Sequence, residues 1–188
     1  MSERPITPSQ TVGPFFAYCL TPQDYGIVPL VEADLVGPGA IGAPIRIEGR
    51  VLDGEDAPVP DAMIEIWQAD GAGRYPTSAD NSGFGGFGRA GTDAQGRFAF
   101  ATIKPGPVPG PDGAMQAPHL AVSVFARGLL TRLVTRIYFP DEPANEEDPI
   151  LARVPQERRG TLVARAGEDA YLFDIRLQGR DETVFFEV

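Results

Sequence analysis

The sequence predicts an all-β fold: a two-sheet β-sandwich with long loops, an extended N-terminal arm and one or two short helices. Three observations predict it. Short apolar runs with period-2 alternation recur along the chain, as half-buried strands require. Between them lie 22 glycines and 19 prolines in 188 residues, a turn-rich composition that stays below the share typical of disorder. A hydrophobic content of 43% over this length suits one core that buries roughly 70% of the unfolded surface, not two such cores.

Residues 1–44 form the arm and 45–188 a single sandwich domain. The arm carries Phe15, Phe16, Tyr18 and Leu20 among prolines and glycines, and so much apolar surface needs a cover, either the chain's own sandwich or another chain. Over 45–51, Ile45, Ile47, Gly49 and Val51 alternate with Arg46, Glu48 and Arg50. Asp53-Gly54, Pro58 and Pro60 then turn the chain. The run 62–67 is expected to return beside the first strand as a hairpin, ending in a Gly-rich loop that carries Tyr75 to the sheet edge. Trp67, alternating with Met63 and Glu65, reads as a packing residue.

Gly83, Gly85 and Gly88 satisfy G-x-G-x-x-G, but a polar loop precedes them and a turn and strand follow. A dinucleotide site needs a strand before and a helix after, so the glycines read as a tightly packed loop. Residues 97–103 form a strand with Phe98 and Phe100 on one face. Alternate prolines over 104–111 make a stiff extended loop outside any sheet. From 118 onward Leu120, Val122, Val124 and Ala126 share one face, and His119, Ala121, Ser123, Phe125 and Arg127 the other. The strand 131–139 stops at Pro140. Asn145, ahead of three acids, is expected to cap a short helix over 149–154. A hairpin of 161–165 with 171–178 turns Tyr171, Phe173, Ile175 and Leu177 inward, and 183–188 is a last strand. The inventory is seven to nine strands.

The formal charge of −10 excludes nucleic acid as a partner, since phosphate binding needs a basic stripe. Of 16 basic residues only Lys104 is lysine, a skew compatible with planar anion or subunit contacts. Cys19 is alone, without a disulfide partner or an activating neighbour. Neither a signal peptide nor an apolar run of membrane length is apparent, so a cytoplasmic protein with no membrane partner is expected. His119 is the only histidine, which removes every mechanism that needs two.

The segments TPSQTVGPF, WQADGAGRY, FGRAGTDAQGRFAFATIKPGP, APHLAVSVFARG, RIYFPDE and DIRLQGRDETVFF resemble, in order and over nearly the whole chain, the intradiol ring-cleaving dioxygenases. The resemblance implies a β-sandwich, already reached from the residues, and a non-haem Fe(III) centre of two tyrosines and two histidines. One tyrosine is Tyr75. Val108 stands where the second would follow K-P-G-P, and the histidine pair is reduced to His119 and Ala121. A complete ligand set is needed to ionise a phenol at neutral pH, and hard Fe(III) wants anionic oxygen. This chain is therefore expected to bind no metal, leaving Tyr75, Val108, His119 and Ala121 as the relic of an iron site.

The resemblance further implies an alpha-beta protomer, assembled into higher multiples, whose Fe(III) is bound by the partner beta chain. Thr11, Gly13, Pro14, Phe15, Phe16 and Arg127 match alpha-chain positions that line the partner's pocket. Glycine and proline let backbone approach a flat ring, and a guanidinium attracts a carboxylate. The implied reaction is cleavage of protocatechuate by O2 to 3-carboxy-cis,cis-muconate in the β-ketoadipate route. On a straight strand Arg127 lies about 26 Å from His119, too far to serve a pocket there. Two other readings stay open. One is a non-enzymatic binding or structural sandwich. The other is an iron enzyme in its own right, using Tyr75, His119 and further ligands such as Tyr138 or Asp93. Without the resemblance, Tyr75 reads as a packing tyrosine, His119 as a strand-edge residue and Arg127 as a solvated arginine.

Overall fold

The computed structural model describes residues 17–77, 84–110 and 112–187. The strands among them are β1 (Pro44–Leu52), β2 (Met63–Trp67), β3 (Phe87–Gly91), β4 (Arg97–Ile103), β5 (Val108–Pro109), β6 (Met115–Gln116), β7 (His119–Phe125), β8 (Leu133–Tyr138), β9 (Arg165–Ala166), β10 (Tyr171–Leu172) and β11 (Ile175–Arg176). In one sheet β1 pairs antiparallel with β4 along one edge and parallel with β10 and β11 along the other, with β9 beyond β10. The second sheet runs β3-β2-β7-β8, antiparallel throughout.

Alternation along these strands puts Ile47, Val51, Phe98 and Phe100 of the first sheet in one buried cluster with Ile64, Ile66, Leu120, Val122 and Ile137 of the second. Burying each such side chain contributes about 1.5–3 kcal/mol, so the sandwich core is where the fold is held. A Cβ at Gly49 would lie 1.8 Å from the Phe173 carbonyl oxygen. Glycine there lets the C-terminal segment close on β1, where the Phe173 N–H donates to Glu48 O at 2.8 Å. Residues 32–35 lace the two sheets together. Leu35 N–H donates to Ala101 O and Arg89 N–H to Glu32 O, and Leu35 enters the core. Tyr18, Tyr25, Ile27, Val28 and Leu30 stay exposed.

Several sequence expectations are corrected. β1 and β2 are not a hairpin but lie in opposite sheets, and the reversal after β1 pairs Leu52 with Pro58 of the connecting segment. Both edges of β1 are occupied, so no edge remains for β2. Its turn is built by the Asp53 carboxylate, which accepts from the Glu55 and Ala57 N–H groups at 2.9 Å. Gly88 falls in β3, not in a loop. Val108 and Pro109 pair with β6 in a two-stranded ribbon, because the Gly110 N–H donates to Ala114 O and folds the proline segment back. The segment around 149–154 is a 3-10 turn, Leu151–Arg153, and the Asp148 carboxylate, not Asn145, accepts from the Ile150 and Leu151 N–H groups at its start. A further 3-10 helix, Gln156–Leu162, takes the first two residues of the expected hairpin, which forms instead as the short antiparallel pair β9 and β10. The last strand reduces to one Val134–Phe186 bridge. The strand total exceeds nine because five of the strands have two residues each. Among the described residues no helix is long and apolar enough to cross a membrane.

Candidate functional site

The outer face of the second sheet carries the residues of interest. Strand register aligns Phe87, Trp67, Ala121 and Arg136 in one row across all four strands. In the next row His119 faces Tyr138.

Tyr75 reaches this face from the loop after β2. The Asp70 carboxylate organises the loop, accepting from the Ala72 and Arg74 N–H groups at 2.9 Å and from the Arg74 guanidinium at 2.8 and 3.1 Å. Burial pushes the Asp70 acid up, but these bonds to Arg74 and Ala72 outweigh it and hold the carboxyl below its ordinary range. Gly73 has φ +74, and a Cβ there would lie 2.0 Å from the Pro107 carbonyl oxygen. With the bond from Gly106 N–H to Asp70 O at 2.9 Å, this contact fastens the Tyr75 loop to the segment carrying Val108. The Tyr75 ring stacks on Trp67, centroids 5.6 Å apart and planes 13° from parallel. Burial raises the Tyr75 phenol, with the Arg136 charge opposing.

The other half of the site is closed and polar. His119 Nδ1 sits 2.7 Å from the Ala117 carbonyl oxygen, a contact that requires the proton on Nδ1. Burial pulls the imidazole down to about 4, and the Arg136 charge adds to that. The ring is therefore neutral at physiological pH. Asp148, wholly buried, is the hub. Its carboxylate accepts from the Tyr138 hydroxyl at 3.0 Å and from the N–H groups of Ala117, Ile150 and Leu151 at 2.8, 2.9 and 2.7 Å. Burial raises the Tyr138 phenol far above its ordinary value. Arg136 Nη1 donates to Gln116 Oε1 at 2.7 Å and to the Tyr138 hydroxyl oxygen at 3.3 Å.

These residues do not fit a ferric ion. Val108, buried, and Ala121 offer hydrocarbon. The phenol of Tyr75 is harder to ionise than usual, and a guanidinium acts on both surviving donors. Tyr138, a further ligand considered from sequence, has its hydroxyl committed to Asp148. Asp93 lies in the β3–β4 turn, bonded to Gln95 and Arg97.

Arg127 is two residues past the end of β7 remote from His119, so the structure does not bring it to the relic site. Its Nε lies 3.2 Å from Asp61 Oδ2, and its side chain is 75% exposed. Thr11, Gly13, Pro14, Phe15 and Phe16 lie outside the described residues. Cys19 is exposed and unpaired. Sequence reasoning missed Gln116, Arg136 and Asp148. The available signal for Arg136 was its alternation with Tyr138 on an outward-facing strand position; Asp148 gave only the acid before a proline.

A sequence family described as Dioxygenase matches residues 12–179. The chain is 50% identical to the protocatechuate 3,4-dioxygenase alpha chain of Burkholderia cepacia over 97% of both chains. It is 40% identical to the beta chain from the same organism, over 76% of this chain and 68% of that one. Among solved structures, it is similar to the dioxygenase domain of a dioxygenase carbohydrate-binding protein fusion from Streptomyces sp. SirexAA-E. That likeness has a TM-score of 0.62 at 27% identity and covers 93% of this chain and 99% of that one.

Proposed function

The chain belongs to the intradiol dioxygenase family, and from that premise we propose that it is the alpha subunit of a protocatechuate 3,4-dioxygenase. The observation that carries the reading is the likeness to a named alpha chain from end to end. The altered donor set supports it. A chain that keeps Tyr75 and His119 but fills the other two ligand positions with Val108 and Ala121, beside a guanidinium, is built to stand next to an iron centre without holding one.

In this reading Fe(III) is bound by a beta chain, and protocatechuate and O2 meet there. The likeness to a beta chain as well as an alpha chain supports such a two-chain enzyme. Residues 1–44 form an arm that meets the partner, and 45–188 form the sandwich domain. Thr11, Gly13, Pro14, Phe15, Phe16 and Arg127 line the partner's pocket. Arg127 suits that role because its one ion pair among the described residues is exposed, hence weak, and a guanidinium pairs bidentately with a carboxylate. The ring is opened between its hydroxyl-bearing carbons to 3-carboxy-cis,cis-muconate, in the cytoplasm, by alpha-beta protomers that assemble further.

Metal analysis tests the assignment. The purified chain alone should contain no stoichiometric iron and lack the visible absorption of ferric tyrosinate, and both should appear on co-expression with a beta chain. In that complex Arg127→Ala should raise KM for protocatechuate severalfold with iron content unchanged. Iron bound stoichiometrically by the lone chain defeats the proposal, and an unchanged KM removes Arg127 from the pocket.

A further inference from the structure

Arg136 is half-buried, yet its guanidinium meets only neutral acceptors, the Gln116 amide and the Tyr138 hydroxyl. Among the described residues it makes no ion pair with a carboxylate. The Asp148 carboxylate lies one hydrogen bond further on, through the Tyr138 hydroxyl, and an arginine drawn partly out of water with no carboxylate bonded to it directly is one that a further anion can complete.

A cavity of about 460 Å³ opens beside it, within the range of small-ligand sites. Val134, Ile150, Val154 and Phe186 give it apolar walls, and Ala121 lies in the lining where a larger side chain would fill space. Arg153 adds a second guanidinium and Glu187 a single carboxylate, so among the described residues the charged side chains that line the cavity sum to one excess positive charge. We propose that this cavity, between β8 and the C-terminal segment, binds a small monocarboxylate with an apolar single-ring body, its carboxylate on Arg136 and its ring against the apolar walls. The site is on this chain and does not depend on the identity of any partner.

Benzoate is the probe, with benzamide as its uncharged control. In the assembled enzyme, calorimetric titration should find a benzoate site that leaves the visible iron absorption unchanged and that benzamide does not fill. Arg136→Gln should weaken that site about tenfold or more, the loss expected for one charge-assisted hydrogen bond. Ala121→Trp should abolish it by filling the cavity while Arg136 stays. Thermal melting of each variant without ligand checks that the fold persists, and benzoate should raise the melting temperature of the unaltered protein alone. The proposal is overturned if every bound benzoate perturbs the iron absorption, if benzamide binds equally well, or if a folded Arg136→Gln or Ala121→Trp variant keeps the site at full affinity.

Discussion

The two ends of β7 invite comparison. At its first residue, His119 is buried in a network of Asp148, Tyr138, Gln116 and Arg136 whose hydrogen bonds run between 2.7 and 3.3 Å. Two residues past its last, Arg127 is exposed and held by one ion pair to Asp61. Burial separates the roles: His119, Tyr138 and Asp148 at the closed end are committed to fixed partners and contribute to stability, whereas Arg127 at the open end keeps a charge that can change partners. A buried polar cluster is thus held in place when its groups are hydrogen-bond partners of one another.

The comparison breaks most visibly at Asp148. Asp148→Ala strips the acceptor from three backbone N–H groups and the Tyr138 hydroxyl and should cost about 4 kcal/mol of stability in urea titrations. A loss under 1 kcal/mol would mean that the closed end is not closed. The next effect is in pH. The folded imidazole of His119 lies near 4 against an ordinary 6.5, so between those values the unfolded chain binds more protons. Stability should fall as pH drops from 6.5 to 4, by roughly 3 kcal/mol at most. The NMR midpoint of the His119 ring should lie near 4, and a midpoint above 6 contradicts its burial. Below about pH 4 protonation of Asp70, whose acid is held low by Arg74 and Ala72, should remove a further contribution as the Tyr75 loop loosens.

Smaller changes sharpen the contrast. Trp67→Ala removes the stack under Tyr75 and should cost about 1 kcal/mol beyond the lost area, read by thermal melting. Arg127→Ala should move stability by less than about 0.5 kcal/mol, as expected for an exposed pair. A shift larger than that of Trp67→Ala would reverse the ranking of the two ends.

The strands that define the sandwich were legible because alternation at Ile45, Ile47 and Val51, at Phe98 and Phe100, and at Leu120, Val122 and Val124 carries through to burial. What alternation cannot encode is which sheet a strand joins. The turn at Asp53 announces a reversal, yet β2 crosses to the other layer because β4, β10 and β11 already flank β1. β3 was hidden by its glycines, which have little strand propensity of their own. In the site, Tyr75, Val108, His119 and Ala121 were singled out by the family resemblance, not by their spacing alone. Arg136 was not, because an arginine among fifteen carries no mark until register sets it opposite Ala121. Asp148 was not legible because two of its four donors, Ala117 N–H and the Tyr138 hydroxyl, come from segments distant in the chain.

The pairing of β1 with the C-terminal segment also has a consequence in time. The Arg50 N–H donates to Asp174 Oδ1, 124 residues away along the chain, and β10 and β11 lie parallel on the same edge. Contacts so distant in sequence form slowly, and during synthesis they wait for residues 171–176 to leave the ribosome. Until then one edge of β1 stays open to other strands, so a translational stall after β8 should yield an aggregating nascent chain instead of a smaller folded one.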